Sequence, residues 1–199
     1  MPAMAILLSN GAMPVSAALS KKPLFDTVTG FSHVATFGVL PFAIVVNGKG
    51  PFNTLQEFIA ASRAAPGKFN FMAGEVTVSV PGLSSTVSQV KAGALKALAV
   101  TGATRSSQLP NVPTVAELKP GLVLETWVGI SLPPKTPQQI ISRLASLIEQ
   151  AMKDAELQTQ LLAQGVTPVY EGPTEISARM AKEMEMYSAL GKRANISMD

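Results

Sequence analysis

Apolar residues arrive along this chain in short runs, separated by polar or glycine- and proline-rich punctuation, and two periods alternate. Residues 5–8 are continuously apolar and are closed by Ser9-Asn10-Gly11, the pattern of a strand buried on both faces. A helix is predicted near residues 15–19. Two further strands are predicted at 34–39 and 42–46, interrupted by Gly38 and Pro41. Asn53-Thr54-Leu55-Gln56 has the spacing of a capping box, with Asn53 as the cap and Gln56 three residues on. Leu55, Phe58, Ile59 and Ser62 then mark one helical face, ended by Pro66-Gly67.

The second part of the chain repeats this alternation. Strands are predicted from 69, at 76–80 where Val alternates with Thr77 and Ser79, and at 95–101. Residues 84–91 predict a helix stopped by Gly93, and 108–113 a proline-punctuated loop. A strand at 127–132 ends at Pro133-Pro134. Thr136 then caps a helix that begins with Pro137 and carries the stripe Ile140, Ile141, Leu144, Leu147 and Ile148. Asp154 caps the next helix, through Leu157, Leu161 and Leu162 to Gly165, and 166–170 predicts a strand. A final helix over 173–190 turns Ile176, Met180, Met184 and Tyr187 inward, with Gly191 just past its end. Strands alternating with helices imply an α/β fold with a mostly parallel sheet.

Composition narrows the function classes. Of 199 residues, 47% are hydrophobic and 15% charged, which excludes a disordered chain. The net charge of +3 is scattered, with Lys21-Lys22 the longest basic pair and one Trp and two Tyr in all. A nucleic-acid interface needs a concentrated basic face with stacking aromatics, so none is expected. Zero cysteines exclude disulfides and thiolate metal sites, and the single histidine, His33, has no carboxylate cluster around it, so neither a metal nor a cofactor is expected. Residues 1–17 imitate a signal peptide, but an early Lys or Arg is missing and Ser9-Asn10-Gly11 interrupts the apolar stretch. No apolar run approaches the ~18 residues of a membrane-spanning helix.

Catalytic patterns fail in turn. There is no G-x-S-x-G elbow, and a Ser-His-Asp triad would depend on His33, beside an apolar strand start, where a structural histidine is expected instead. Gly48-Lys49-Gly50 lacks the third glycine of a dinucleotide loop. Glu183 and Glu185 read as part of a solvated helix face. Nothing assembles a nucleophile, a base and an oxyanion hole, so an enzyme is not expected.

One stretch is far more specific. Lys91-Ala92-Gly93-Ala94-Leu95-Lys96-Ala97-Leu98-Ala99-Val100-Thr101-Gly102 leads into Arg105-Ser106 and then Leu109-Pro110-Asn111-Val112-Pro113-Thr114-Val115-Ala116-Glu117. It resembles the signature of the substrate-binding receptors of tripartite tricarboxylate transporters, extracytoplasmic receptors for small carboxylates and related solutes. Trp127-Val128-Gly129, Pro133-Pro134-Lys135-Thr136-Pro137 and Pro66-Gly67-Lys68-Phe69-Asn70-Phe71 agree with it. The resemblance implies a type II periplasmic binding-protein fold with two lobes around the solute, residues 1–46 and 125–199 in one and 47–124 in the other. It implies a periplasmic location and membrane transporter subunits as partners.

The chain departs from that pattern in two places. By the resemblance it is expected to start in the middle of the first lobe, without the family's opening strand and its proline- and glycine-rich loop. A second gap is expected between Phe71 and Met72, where the family has a loop, a helix, a strand and a turn. A carboxylate held by neutral loops needs several converging donors to offset its desolvation. With two donor loops absent, Ser9, Asn10 and Gly11 at a strand end, and Ser79 and Ser84 in the other lobe, are the candidate ligand-binding residues. Millimolar binding is expected, about −4 kcal/mol. The competing expectation is a non-binding remnant whose exposed apolar edges drive self-association.

Overall fold

A computed structural model describes residues 5–66 and 77–198. The strands expected from 69 and the start of the one at 76–80, with the Phe71–Met72 junction, lie outside the described residues. The order of elements is β1 (Leu7–Asn10), α1 (Ala12–Leu19), β2 (Ser32–Pro41), β3 (Ala43–Asn47), α2 (Leu55–Ala64), a 3-10 turn (Leu83–Ser85), α3 (Val87–Lys91), β4 (Leu95–Val100), α4 (Val115–Leu118), β5 (Glu125–Leu132), α5 (Gln138–Ala151), α6 (Ala155–Ala163), β6 (Thr167–Glu171) and α7 (Pro173–Ala194). The mixture of strands and helices is the α/β class expected from the alternation.

The chain forms two compact units. The first comprises Met1–Val39, Thr126–Leu161 and Thr167–Asp199; the second comprises Leu40–Glu125 and Leu162–Val166. The sequence reading carried the first lobe to residue 46, but β3 pairs along its length with β4 and so lies in the second unit.

The first unit is built on a four-stranded sheet in the order β1-β5-β2-β6. The ladders β1/β5 and β2/β6 are antiparallel, as is β3/β4 in the second unit. The expectation of mostly parallel strands is corrected there. Continuous apolarity reports burial on both faces, and an antiparallel strand covered on both faces reads the same. Two clusters fill this unit. Val34, Ala35 and Leu132 pack with Ile141 and Ala145 of α5, and Val39 and Trp127 pack with Ile176 and Met180 of α7. On α5 the buried face is Ile141 and Ala145, flanked by Leu144 and Ile148, while Ile140 and Leu147 of the expected stripe are exposed.

The second unit packs its β3/β4 ribbon between two clusters of its own. Ala43, Val45 and Val100 meet Leu83 and Leu109; Val46, Leu98 and Ala99 meet Leu55 of α2 and Val115 of α4. Both helices begin in a capping box, Thr54 with Glu57 and Thr114 with Glu117. The first box therefore sits one residue later than Asn53 and Gln56. Glu57 Oε2 accepts from the backbone N–H of both Asn53 (2.7 Å) and Thr54 (3.3 Å), and the Asn53 side chain instead receives the Lys96 ammonium at 2.7 Å.

Of three other termini, two differ from expectation and one agrees. Thr136 donates to the Pro133 carbonyl (2.7 Å) and Pro137 is the cap of α5, without a side-chain bond. Asp154 caps α6 as expected, its Oδ1 accepting from Glu156 and Leu157 N–H at 2.8 and 2.9 Å. Helix α7 runs past Gly191 and is closed by Asn195 in the left-handed region (φ 54°). Gly191 is instead a close-approach residue, where a Cβ would stand 2.5 Å from Leu19 of α1.

Candidate functional site

β1 was expected to be buried on both faces; it is an edge strand. Leu7 and Leu8 are exposed and Ser9 is fully buried. Ser9 lies opposite Gly129 of β5, where an added Cβ would come within 2.6 Å of the Ala35 carbonyl and 3.3 Å of Ser9 Oγ. The missing side chain makes room for the serine. Its Oγ lies 3.1 Å from Ser131 Oγ, so Ser9 faces the interior rather than a ligand.

The next two residues turn the chain into α1. Gly11 N–H donates to the Trp127 carbonyl at 3.1 Å, and a Cβ at Gly11 would stand 2.6 Å from Thr126 Oγ1. Asn10 Oδ1 accepts from Ala12 N–H at 3.0 Å. Pro14, in the first turn, has no N–H to satisfy. Met13 N–H is another donor of that first turn. Helix N-termini favour anions because such amides and the macrodipole act together.

A cavity of about 310 Å³ opens at this turn. Asn10, Ser16, Ser20 and Lys22 give it polar groups, and Met13, Ala17, Leu24 and Phe25 give it an apolar wall. It combines a cation, hydroxyls and a helix start with aliphatic and aromatic surface, a composition suited to a small organic anion. Lys22 and Ser16 are not among the ligand contacts that the sequence pattern singles out, where Lys21-Lys22 stands only as the longest basic pair. The only signal for them was their position eleven and five residues after a strand-end Gly11.

Behind the turn lies a charged network. Trp127 is fully buried, and its indole N–H donates to Glu183 Oε2 at 2.9 Å. Arg179 pairs with both oxygens of Glu171, through Nε at 2.7 Å and through Nη2, and its Nη1 lies 3.5 Å from Glu183. Burial raises the Glu183 carboxyl above its usual range against the opposing Trp127 and Arg179 contacts. Burial also pushes Glu171 upward, but the Arg179 guanidinium outweighs it and holds that carboxyl below its usual range. Every strong donor in this group is matched inside it, so it fixes α7 on the sheet and is not open to a ligand.

In the second unit, Ser79 exchanges both backbone hydrogen bonds with Val45 at 2.9 Å and is half-buried. Ser84 is exposed in the 3-10 turn, its Cβ close to Gly165, where a left-handed φ of 75° excludes most side chains. The structure thus places Asn10 in the lining of the cavity, ties Gly11 to Trp127 beside it, turns Ser9 inward, and keeps Ser79 and Ser84 in a separate unit. Among the described residues no group of three metal-ligating side chains is present, and no helix is long and apolar enough to cross a membrane.

Comparison with known proteins gives the class of this α/β scaffold. Residues 70–195 match the family model described as the tripartite tricarboxylate transporter family receptor, and the chain belongs to that family. It is 24% identical over 227 residues to protein BugT of Bordetella pertussis, covering 93% of this chain and 70% of BugT. That span exceeds the 199 residues here, so BugT carries segments inside the matched region that this chain lacks. Among solved structures, the periplasmic binding protein BugD superposes with a TM-score of 0.80 at 20% identity, over 98% of this chain and 79% of BugD. A Rhodopseudomonas palustris protein with adipate gives 0.83 at 19% identity, over 96% and 78% of the two chains. MatC from the same organism, with bound malate, gives 0.75 at 18%, over 92% and 78%. These likenesses establish the periplasmic binding-protein fold. The family and its structural relatives are solute receptors and not enzymes.

Proposed function

We propose that this chain receives a small carboxylate for a tripartite transport system, outside the cytoplasm and in company with membrane transporter subunits. The observation that carries the reading is the cavity at the start of α1, lined by Asn10, Ser16 and Lys22 together with Met13, Leu24 and Phe25. A carboxylate there meets a helix N-terminus and a cation, and its carbon chain meets apolar surface. Ser79 and Ser84 are carried as candidates for contact in the second unit.

Two relatives of the same fold hold adipate and malate, which makes those two dicarboxylates the first solutes to test. Calorimetric titration should give dissociation constants in the millimolar range, about −4 kcal/mol. Lys22→Ala should weaken binding by roughly tenfold to a hundredfold, since a charge-assisted hydrogen bond contributes roughly 1.5–3 kcal/mol. Absence of heat with a panel of di- and tricarboxylates, or binding indifferent to Lys22→Ala, would remove the reading.

A second reading rests on β1. It ends the sheet order, and Ile6, Leu7 and Leu8 are 58%, 39% and 63% exposed. An apolar edge of this kind invites pairing with another chain. Self-association without solute binding is the alternative, and light scattering across a concentration series distinguishes the two.

A further inference from the structure

His33 is nearly fully buried on β2 and neither the fold nor the proposed solute contact accounts for its chemistry. Its Nε2 lies 3.0 Å from the Thr27 carbonyl oxygen, which can only accept. The proton of the neutral ring is therefore on Nε2, and Nδ1 is an acceptor. Ser131 Oγ lies 2.9 Å from Nδ1, so the Ser131 hydroxyl donates to the ring. Ser131 Oγ and Ser9 Oγ lie 3.1 Å apart, and either hydroxyl can donate; with the Ser131 hydrogen directed at Nδ1, the hydrogen of this second contact is the one on Ser9. Three side chains on adjacent strands thus have their hydrogens ordered in one direction, from Ser9 to Ser131 to His33 to the Thr27 carbonyl.

This chain ends one residue before the solute turn. Ser9 precedes Asn10, whose Oδ1 accepts from Ala12 N–H, and Gly11, which is tied to Trp127. We propose that His33 is a positioning residue that makes the β1–α1 turn sensitive to acidity: adding a proton to its Nδ1 reverses the hydroxyl chain and disturbs the hydrogen bond that holds Ser9. With Nδ1 a donor, Ser131 must accept from it. The Ser131 hydrogen then points to Ser9, and the Ser9 hydrogen needs a new acceptor at the end of β1. The inference rests on the proposed solute site only for its effect on binding; the coupling of His33 to residues 9–12 stands without it.

Charged groups on the elements around His33 have other partners. Asp26, in the turn that carries Thr27, accepts from Val28 and Thr29 N–H and from the Thr29 hydroxyl. Thr27 Oγ1 reaches α7 only at the Met184 sulfur (3.0 Å). On α7, Arg179 and Glu183 are engaged with each other, with Glu171 of β6 and with Trp127 of β5. The strand β1 carries no charged residue, and β5 carries only Glu125, which accepts from Ala103 N–H in the second unit. Burial lowers the ring's affinity for a proton, and the Thr27 and Val28 backbone partly restores it. Among the described residues no carboxylate is a partner of the His33 ring.

The test uses the whole chain, labelled with 15N and 13C, titrated from pH 8 to pH 5 by NMR. The neutral ring should show the proton on Nε2. The backbone amides of Gly11 and Ala12 should titrate with the midpoint of the His33 ring, and that step should vanish in His33→Asn and shrink in Ser131→Ala. A ring carrying its proton on Nδ1, or amides of Gly11 and Ala12 that ignore the His33 midpoint, overturns the proposal. Should either variant fail to fold, the ring tautomer and the wild-type amide titration still decide it. Malate and adipate titrated at pH 8 and pH 5 give the second arm: protonation of the solute itself weakens binding alike in both proteins, and wild type should weaken at least threefold more than His33→Asn. Equal pH dependence in both overturns the link to binding. Amides that follow His33 in a protein that binds neither solute uphold the relay and remove the solute reading alone.

Discussion

At the scale of single residues, close approach decides more than chemistry does. Gly129 is surrounded by the Ala35 carbonyl, Ile176 and Ser9, so Gly129→Ala should lower stability by about 1–3 kcal/mol, the usual penalty for overpacking a filled core. Chemical denaturation followed by Trp127 fluorescence measures this directly, because the one tryptophan is buried in the same cluster. Glu117 offers a titration with a definite sign. Its bonds to Arg105, 2.9 Å at Nε and 2.6 Å at Nη2, are the largest cause of a carboxyl lowered from 4.5 to about 2, and Thr114 N–H adds to them. The folded value lies below the unfolded one, so the contribution is complete above pH 4.5 and is lost as the pH falls toward 2. A carboxyl 13C titration should give a midpoint near 2 in wild type, moved only part of the way back toward 4.5 in Arg105→Ala because Thr114 still donates. The sequence contained these residues but not these pairings. Arg105 and Glu117 stand twelve positions apart across a proline-rich loop, and Ser131 and His33 stand 98 apart, separations that no local pattern encodes.

At the scale of elements, the hydrophobic period carried the reading well and the helix ends carried it less well. The strands at β2, β4, β5 and β6 and the helices α2, α5, α6 and α7 fall where alternation and 3.6-residue spacing place them. Asn53-Thr54-Leu55-Gln56-Glu57 satisfies the capping-box spacing in two registers, and only the position of Lys96, 43 residues away, engages Asn53 and leaves Thr54 as the cap. Thr54→Ala should therefore destabilise the second unit by ~1 kcal/mol, within the usual range for loss of a cap, whereas Asn53→Ala should leave α2 intact and cost less. Amide hydrogen exchange over residues 55–60 separates the two outcomes. At α7, Gly191 looked like a stop signal because glycine commonly follows a helix end, yet its lack of a side chain serves contact with Leu19, and Asn195 takes the left-handed position. Composition could not choose between a glycine that ends a helix and one that lets another helix approach.

At the scale of the whole molecule, the family signature over 91–117 identified the fold, while strand direction and the facing of β1 were legible only in the structure. An apolar run of four residues predicts burial, but β1 pairs on one side only, and its single buried side chain is a serine. That inversion has a measurable consequence. Side chains on one edge strand cannot leave water unless another surface covers them, and Leu8, at 63% exposed, is the most accessible of the three apolar residues there. If the edge drives association between copies, Leu8→Lys should shift the population toward monomer at a given concentration, because a charge on an edge strand opposes strand pairing. The fold should be unaffected, since Leu8 contributes to neither cluster of the first unit. Light scattering of wild type and Leu8→Lys over a hundredfold concentration range provides the test. A chain that is monomeric throughout refutes association through this edge, and association that is unchanged by the lysine assigns it to another surface. In either case binding at the α1 cavity should be untouched, because Leu8 does not line it. A loss of malate or adipate binding in Leu8→Lys would mean that edge and cavity form one site rather than two.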